Sequence, residues 1–449
     1  MGGDQGPHDM NSRYVLFLAC TAATGGLLFG FDVAIISGAG PFLVRHFALD
    51  DLSLGLAFSS LLFGCVIGSA FAGRLSDRYG RRYILLWVAA LFALTSLATA
   101  VAGDFSSFLF ARFVGGIAVG AVSLVSPLYV SEIAPAPVRG RLGALYQMSI
   151  VTGILVSYCI NFLLRDAGAD NWRWMFATGV LPSIIFLALL WMAPETPRFL
   201  FLAGRRDEAR AVQARIGESG ALDLAASTTA DGAQSRSWRA LLDPGIRRAL
   251  FVGFWLAILI HFSGINTVID YAPAIFQSAG WQLDAALLST FVIGVTNFIF
   301  TLVSFWTIDR YGRRPLYIIG SLGMAAVLAA LTVAVVLGHF RGPIVLVLIL
   351  AYIMFFSSCI GPVFWTLVPE IMPTDVRGTA MIVPVLTQWV ANAIVVLLFP
   401  FALHQLGQAP TFAFLAAVSL AQAWFAWKHV PETKNRTLEE IQAFWRGAT

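Results

Sequence analysis

The stretch Asp77-Arg78-Tyr79-Gly80-Arg81-Arg82 occurs a second time, unchanged, as Asp309-Arg310-Tyr311-Gly312-Arg313-Arg314, 232 residues further along the chain. Two shorter matches follow in the same order. Glu132-Ile133 returns as Glu370-Ile371 at an offset of 238, and Pro194-Glu195-Thr196 returns as Pro431-Glu432-Thr433 at an offset of 237. Because chance would scatter the offsets, three collinear matches indicate the duplication of one unit.

Each copy of this unit contains long apolar stretches. The chain of 449 residues is 58% apolar and only 12% charged, about half the charged fraction of a soluble globular protein. A helix of about 20 apolar residues crosses the ~30 Å hydrocarbon core of a bilayer. The sequence therefore predicts an all-α membrane protein with twelve transmembrane helices, at residues 14–38, 53–73, 83–102, 106–130, 142–164, 173–192, 249–277, 285–308, 315–337, 343–368, 378–400 and 409–428.

The duplication also predicts how the halves are arranged. Since six is an even number, both six-helix bundles enter and leave the membrane on the same side, as parallel repeats whose solute site lies between them. We expect an N-terminal bundle at residues 1–194, a C-terminal bundle at 249–430 and a cytoplasmic tail at 431–449. The polar segment 195–248 between the bundles is predicted to be a cytoplasmic linker with short helices, acting as a tether or as part of a gate.

Arginine is concentrated on one side of the predicted bilayer. The connections after odd-numbered spans carry three arginines, Arg45, Arg165 and Arg341. The connections after even-numbered spans carry ten: Arg74, Arg78, Arg81, Arg82, Arg139, Arg141, Arg310, Arg313, Arg314 and Arg377. The positive-inside rule therefore places both termini in the cytoplasm of a cell-membrane protein. Since these arginines sit at helix ends, the pI near 9.0 reflects topology, and no nucleic-acid partner is expected.

Six motifs in order give the chain a family resemblance. They are Gly26-Leu27-Leu28-Phe29-Gly30-Phe31-Asp32, the two Asp-Arg-Tyr-Gly-Arg-Arg loops, Pro194-Glu195-Thr196-Pro197-Arg198, Gly264-Ile265-Asn266, Gly361-Pro362-Val363-Phe364-Trp365 and Pro431-Glu432-Thr433-Lys434. Over nearly its whole length the chain resembles the sugar porter family of the major facilitator superfamily. The resemblance implies the major facilitator fold and a carrier that moves a monosaccharide by alternating access. We expect it to work as a monomer in the bilayer, without metal or cofactor.

The resemblance also implies a gate on the cytoplasmic side, where charged residues of both halves form ion pairs that hold the outward-open state. One exposed pair contributes only ~0–1 kcal/mol, but a network that breaks together can set the preference for one state. The predicted gate residues are Arg78, Arg82, Glu132, Arg139, Glu195, Arg310, Arg314, Glu370, Arg377 and Glu432.

A sugar site needs amides, which donate and accept hydrogen bonds, and aromatic rings that cover the apolar faces of the sugar. The chain has such residues away from the ends of its spans, at positions that match family sugar-binding positions. The predicted substrate-binding residues are Gln147, His261, Asn266, Asn297, Trp365, Gln388, Trp389 and Asn392.

Span 7 departs from the family pattern. Where two adjacent glutamines are usual, this chain has Ile260-His261, and where a tyrosine is usual it has Asp270. A family glutamine of span 5 is replaced by Ile154. Because an ionisable group inside a membrane helix is costly, His261 and Asp270 are functional candidates, for sugar or for protons, and Asp270 is a possible second ionisable site.

Asp32 in span 1 and Arg112 in span 4 are the predicted proton-coupling pair. Burial favours the neutral form of a carboxyl and a nearby arginine favours the ionised form, so the pair can act as a switch. The resemblance assigns these positions to proton coupling in sugar symporters and predicts proton symport.

Two alternatives remain open at this stage. One is a facilitator that equilibrates sugar without a gradient, and another is a carrier for a polyol, an organic acid or a drug. An enzyme is not expected, since the sequence has no metal-ligand cluster, nucleophile elbow or phosphate loop. A channel is disfavoured because scattered amides suit one enclosed ligand better than a selectivity filter.

Overall fold

The protein is almost entirely helical. The structure, a computed structural model, describes residues 12–135, 139–217, 244–372, 380–434, 436, 440–441 and 444–445. Its helices are α1 Ser12–Phe47, α2 Asp51–Tyr79, α3 Arg81–Ala100, α4 Phe105–Ile133, α5 Arg139–Leu163, α6 Asn171–Ala177, α7 Val180–Met192, α8 Pro197–Leu202, α9 Arg206–Ile216, α10 Pro244–Phe262, α11 Ile265–Asp270, α12 Ala272–Ser278, α13 Leu283–Tyr311, α14 Arg313–Val336, α15 Pro343–Phe355, α16 Gly361–Ile371, α17 Ile382–Gln405 and α18 Gln408–His429.

Twelve spans in the described parts of the chain are long and apolar enough to cross a membrane, which confirms the predicted number. Spans 1 to 5 are α1 to α5, and α6 with α7 forms span 6. Span 7 contains α10 and α11, spans 8 and 9 are α13 and α14, span 10 contains α15 and α16, and spans 11 and 12 are α17 and α18. The predicted end of span 1 at residue 38 is wrong. The helix continues to Phe47, because Ala39 and Leu43 extend its buried face.

Two spans are interrupted where they pass the centre of the protein. Gly264 has a φ of 94°, a left-handed conformation that glycine adopts without strain, and it separates α10 from α11. In span 10 a π-helical turn covers Phe356–Ile360 just before Pro362, which lacks the N–H for a regular helical bond. Both interruptions lie beside the cavity described below, where freed backbone groups can be accommodated.

Within the N-terminal half, glycines allow helices to touch backbone to backbone. A Cβ atom at Gly64 would collide with the Phe113 carbonyl, and one at Gly116 with the Leu61 carbonyl, so spans 2 and 4 are in close contact. Gly30 and the Ile150 carbonyl bring spans 1 and 5 together in the same way. Such close approach is the usual packing of small residues in membrane helices.

The two halves meet along spans 2 and 11, spans 5 and 8, and spans 1 and 7. We name the two ends of the protein by their residues. The arginine-rich end carries Gly80 and Gly312, and the far end carries Asp51 and Asp284. At the far end the halves touch, since His404 pairs with Asp51 at 2.8 Å and Arg165 pairs with Asp284 at 3.3 Å.

Candidate functional site

A cavity of about 140 Å³ lies between the halves at the centre of the protein. Spans 1, 5, 7, 8, 10 and 11 line it, and the apolar side chains of Ile154 and Ile260 occupy part of its wall. The structure brings all eight predicted substrate-binding residues to this wall: Gln147, His261, Asn266, Asn297, Trp365, Gln388, Trp389 and Asn392. Most come from the C-terminal half. We call this space the central cavity.

Among the described residues, the central cavity continues toward the arginine-rich end. A larger space of about 980 Å³, the vestibule, shares Phe29, Gln147, Ile150, Pro362 and Trp365 with the central cavity. It reaches Arg313 and Glu370 at the arginine-rich end. The conformation is thus open at the arginine-rich end and closed at the far end.

Several buried polar atoms on the cavity wall have no hydrogen-bond partner among the described residues. They include Oδ1 of Asp270, Nε1 of Trp389 and Oδ1 of Asn392. Leaving a buried donor or acceptor unsatisfied costs about 1–3 kcal/mol. Since their residues line one space and the atoms include a donor and acceptors, a ligand bearing several hydroxyls would suit them.

Two of the predicted residues are positioned by neighbours. Oδ1 of Asn297 accepts a hydrogen bond from Ser357 at 2.7 Å, and Ser357 lies in the π-helical turn of span 10. The Trp389 ring packs against Phe29 with ring centroids 5.6 Å apart. Ser357 was not predicted from the sequence. Its place on the cavity wall depends on the π-helical turn, which a serine in an apolar helix does not reveal.

Asp32 and Arg112 form a direct ion pair. Nη1 of Arg112 lies 2.6 Å from Oδ1 of Asp32, and its Nη2 donates to the Asp32 carbonyl at 3.1 Å. The Arg112 side chain is 2% exposed and lies over the Phe176 ring. The pair belongs wholly to the N-terminal half, beside the central cavity rather than on its wall, and it can hold or release one proton within the membrane.

The far end is closed by a group of contacts that centres on span 7. In a regular helix the Ile269 carbonyl would accept from residue 273, but Pro273 has no N–H. Ser37 and Tyr158 of the other half donate their hydroxyls to this carbonyl, at 3.0 and 3.1 Å. We call these contacts, together with the stacking described next, the far-end gate.

Aromatic stacking completes the far-end gate. The Tyr271 ring stacks on Phe58 of the N-terminal half, with centroids 4.4 Å apart and planes 17° from parallel. Its hydroxyl donates to the Val396 carbonyl at 3.0 Å. Ser37, Phe58 and Tyr158 were not predicted from the sequence. Pro273, four residues after Ile269, was the available signal, because it leaves the Ile269 carbonyl without a donor in its own helix.

At the arginine-rich end the repeated motif forms the same device in each half. Gly80 and Gly312 have φ angles of 102° and 89°, which favour glycine. The Glu195 carboxylate accepts from the backbone N–H groups of Arg81 and Arg82, at 3.1 Å each, and so caps span 3. Burial raises the pKa of Glu195, while hydrogen bonds from backbone N–H groups oppose that shift.

Glu432 caps span 9 through the backbone N–H groups of Arg313 and Arg314, each 3.1 Å away. Ion pairs accompany both caps. Arg81 contacts both carboxylate oxygens of Glu132, each at 3.1 Å, and Arg313 lies 3.1 Å from Glu370. Arg81 and Arg313, the first arginine of each Arg-Arg pair, were not among the predicted gate residues, whereas Glu132 and Glu370 were. The positive φ of the preceding glycine turns the first arginine inward.

The remaining predicted gate residues make other contacts. Arg82 donates to the carbonyls of Leu190 and Trp191, and Arg314 to that of Trp427, so both arginines cap the end of a span in their own half. Arg78 lies over the Tyr79 ring and Arg310 over the Trp306 ring. The side chain of Arg139 and all of Arg377 lie outside the described residues. Pairs that hold the outward-open state stay a prediction for a conformation other than this one.

Two six-helix bundles around a cavity that continues toward one end of the described structure are the architecture of a membrane carrier. Such a protein exposes a central site to one side of the membrane at a time. Comparison with known proteins then identifies the chain, which belongs to the family described as "Sugar (and other) transporter", whose model matches residues 18–445.

Curated relatives cover almost the full length of the chain. It is 36% identical to the D-xylose-proton symporter of Escherichia coli K12, over 98% of this chain and 97% of that protein. It is 36% identical to the arabinose-proton symporter of Bacillus subtilis, over 96% and 95%, and 38% identical to the glucose facilitated diffusion protein of Zymomonas mobilis, over 96% and 97%.

A solved structure is similar over almost the whole chain. The structure is similar to the partially occluded inward open conformation of the E. coli xylose transporter, with a TM-score of 0.84 and 34% identity. The match covers 95% of this chain and all of that one.

Proposed function

We propose that this protein is a proton-coupled symporter that moves a monosaccharide across the cell membrane by alternating access. The observation that carries this proposal is the set of unsatisfied buried donors and acceptors around the central cavity. A sugar presents hydroxyls, which both donate and accept, and apolar faces that stack on indole rings. The eight predicted residues are the proposed contacts, with Trp365 and Trp389 as the stacking surfaces.

Proton coupling rests on the Asp32–Arg112 pair. Protonation of Asp32 would leave the buried guanidinium of Arg112 without its counter-charge, and removing one partner of a buried pair costs about 3–5 kcal/mol. A free-energy change of that size is enough to shift a two-state equilibrium. In the proposed cycle, a proton from outside binds Asp32, the carrier closes around sugar, and the proton leaves on the cytoplasmic side.

The positive-inside rule gives the orientation in this proposal. With the arginine-rich end in the cytoplasm, both termini are cytoplasmic and the described conformation is inward-facing. One chain holds the whole site, which supports function as a monomer. The domain boundaries given above are likewise proposals.

A sugar facilitator is the second candidate, favoured by the 38% identity to the Zymomonas protein. Proteoliposomes given an external acid jump separate the two functions. A symporter accumulates labelled sugar above equilibrium, whereas a facilitator only equilibrates it. A panel of pentoses, hexoses and polyols tested by competition then identifies the substrate, including any effect of Ile154 and Ile260.

The coupling residue is tested with Asp32→Asn. We expect this variant to lose uphill uptake, because the amide cannot bind and release a proton. It should keep the exchange of labelled for unlabelled sugar, because the proposed sugar site is unchanged. If exchange were lost as fully as uphill uptake, Asp32 would be a structural residue and the coupling role would be wrong. A wild-type protein that carried no carbohydrate at all would contradict the sugar proposal itself.

A further inference from the structure

A basic groove opens on the surface of the C-terminal half, where span 7 begins and span 12 ends. Its volume is about 500 Å³, and the two spans pack against each other beneath it. Arg247, Arg248 and Phe251 of span 7 line it, together with His429 of span 12 and Trp445 of the C-terminal tail. The described residues that line it differ from those of the central cavity and the vestibule. We call this space the interfacial groove.

The aromatic wall of the interfacial groove is held in place by packing. The Phe251 and His429 rings lie 5.9 Å apart, and both pack on Phe425, at centroid distances of 6.0 and 4.9 Å. Trp445 is buried, and its Nε1 donates to the Ile371 carbonyl at the end of span 10, at 3.0 Å. Side chains from spans 7 and 12 and from the tail therefore meet in one fixed arrangement.

The two arginines of the groove carry charge that no described neighbour neutralises. Arg247 and Arg248 are exposed and adjacent in sequence, and no aspartate or glutamate is among the described residues that line the groove with them. They follow closely on the start of α10 at Pro244, the end of a helix at which partial positive charge collects. This concentration of positive charge favours the binding of an anion.

Arginines at the end of a span can also serve topology alone. The interfacial groove differs from such a position because an aromatic track leads from it along span 7. Phe251 and Trp255 follow Arg247 at intervals of four residues, so the three lie on one face of the helix. The two rings are 48% and 38% exposed, and their centroids lie 6.3 Å apart. At a rise of 1.5 Å per residue, Trp255 lies about 12 Å deeper than Arg247.

We propose that the interfacial groove binds an anionic phospholipid, with its phosphate at Arg247 and Arg248 and one acyl chain along Phe251 and Trp255. Guanidinium groups suit this ligand, because each can donate two parallel N–H bonds to phosphate oxygens. Basic pockets between membrane helices are typical sites for anionic headgroups. A free phosphate ion has the same charge but no chain to cover the aromatic track, so the lipid fits the whole surface. Binding of this lipid is independent of the proposed sugar transport.

Native mass spectrometry of the full-length protein in a neutral detergent tests this proposal. Phosphatidylglycerol and phosphatidylcholine with the same acyl chains are titrated separately, and the fraction of protein that carries one lipid is measured. The wild type should bind phosphatidylglycerol more tightly. Arg247→Gln/Arg248→Gln should bind it about 25-fold more weakly than the wild type, because each basic residue beside an anionic lipid contributes the equivalent of about fivefold.

Arg206→Gln/Arg210→Gln is the matched control. Both of these arginines are exposed on α9, away from the interfacial groove. The control removes the same charge and should keep the wild-type affinity for phosphatidylglycerol. Arg247→Lys/Arg248→Lys retains the charge of the groove without the paired N–H groups, and its affinity should fall between those of the wild type and the glutamine variant. Melting temperatures without added lipid show whether each variant is folded.

Three results would overturn the lipid site. The first is equal affinity of the wild type for phosphatidylglycerol and phosphatidylcholine. The second is unchanged phosphatidylglycerol binding in the folded glutamine variant, or in the lysine variant if the glutamine variant does not fold. The third is displacement of phosphatidylglycerol by inorganic phosphate, which would indicate an ion site to which the aromatic track adds nothing. Sugar transport, measured separately, is unaffected by any of these results.

Discussion

Removing the hydroxyls of Ser37 and Tyr158 should shift the carrier toward the conformation that is open at the far end. Both hydroxyls donate to the Ile269 carbonyl across the interface between the halves. Because Pro273 cannot supply the helical donor, the double variant Ser37→Ala/Tyr158→Phe leaves this buried carbonyl unsatisfied while the far-end gate is closed. In the open conformation water would hydrate the carbonyl, so the two substitutions would not raise the free energy of that conformation.

The size of the shift follows from this difference. An unsatisfied buried acceptor costs about 1–3 kcal/mol. A coupling free energy of that size changes a two-state equilibrium by roughly 5- to 150-fold. Either single variant keeps one donor and should shift the equilibrium much less than the double variant does.

Spin labels can measure the two populations directly. Gly103 in the N-terminal half and His339 in the C-terminal half are exposed residues in far-end loops, and cysteines placed there in a cysteine-free background carry the labels. Electron paramagnetic resonance then gives the distribution of far-end distances. We expect the longer distance to become the major population in the double variant.

A matched control distinguishes the loss of hydrogen bonds across the interface from the loss of two buried hydroxyls elsewhere. Tyr352 donates to the Ser263 carbonyl at 3.0 Å, and Ser419 donates to Leu415 at 2.9 Å, all within the C-terminal half. Tyr352→Phe/Ser419→Ala should therefore leave the distance distribution unchanged. If both double variants gave the wild-type distribution, the Ile269 carbonyl would not hold the gate closed and this reasoning would be refuted.

Two further predictions concern the sugar site and the repeated motif. Asn392→Ala should weaken sugar binding roughly 5- to 150-fold, the equivalent of about 1–3 kcal/mol for a lost hydrogen bond in a buried site, as measured by titration calorimetry. Gly80→Ala should lower thermal stability in detergent more than Gly168→Ala. Both glycines have nearly the same φ, 102° and 104°, but only at Gly80 would a Cβ collide with the Glu195 carboxylate, which adds the loss of a helix cap, about 0.5–2 kcal/mol.

The sequence could predict the spans and the residues of the central cavity, because each can be recognised from the residues of one segment without knowing which other residues they contact. An amide such as Asn392 in an apolar helix needs a polar neighbour, and in a two-bundle carrier the space between the halves provides it. Partners could not be predicted in this way. The contact of Arg81 with Glu132 depends on the φ angle of Gly80, and the role of Tyr158 depends on a carbonyl that Pro273 leaves free in another span.

The location of the sites constrains how proton binding can act on sugar binding. The Asp32–Arg112 pair lies in the N-terminal half, whereas most of the proposed sugar contacts lie in the C-terminal half. Among the described residues, the caps and ion pairs at the arginine-rich end join residues of the same half. Phe29, one helical turn before Asp32, packs on Trp389 at the central cavity. A shift of span 1 on protonation of Asp32 would therefore move a ring that packs against a proposed sugar contact, and that contact is a physical link between the two sites.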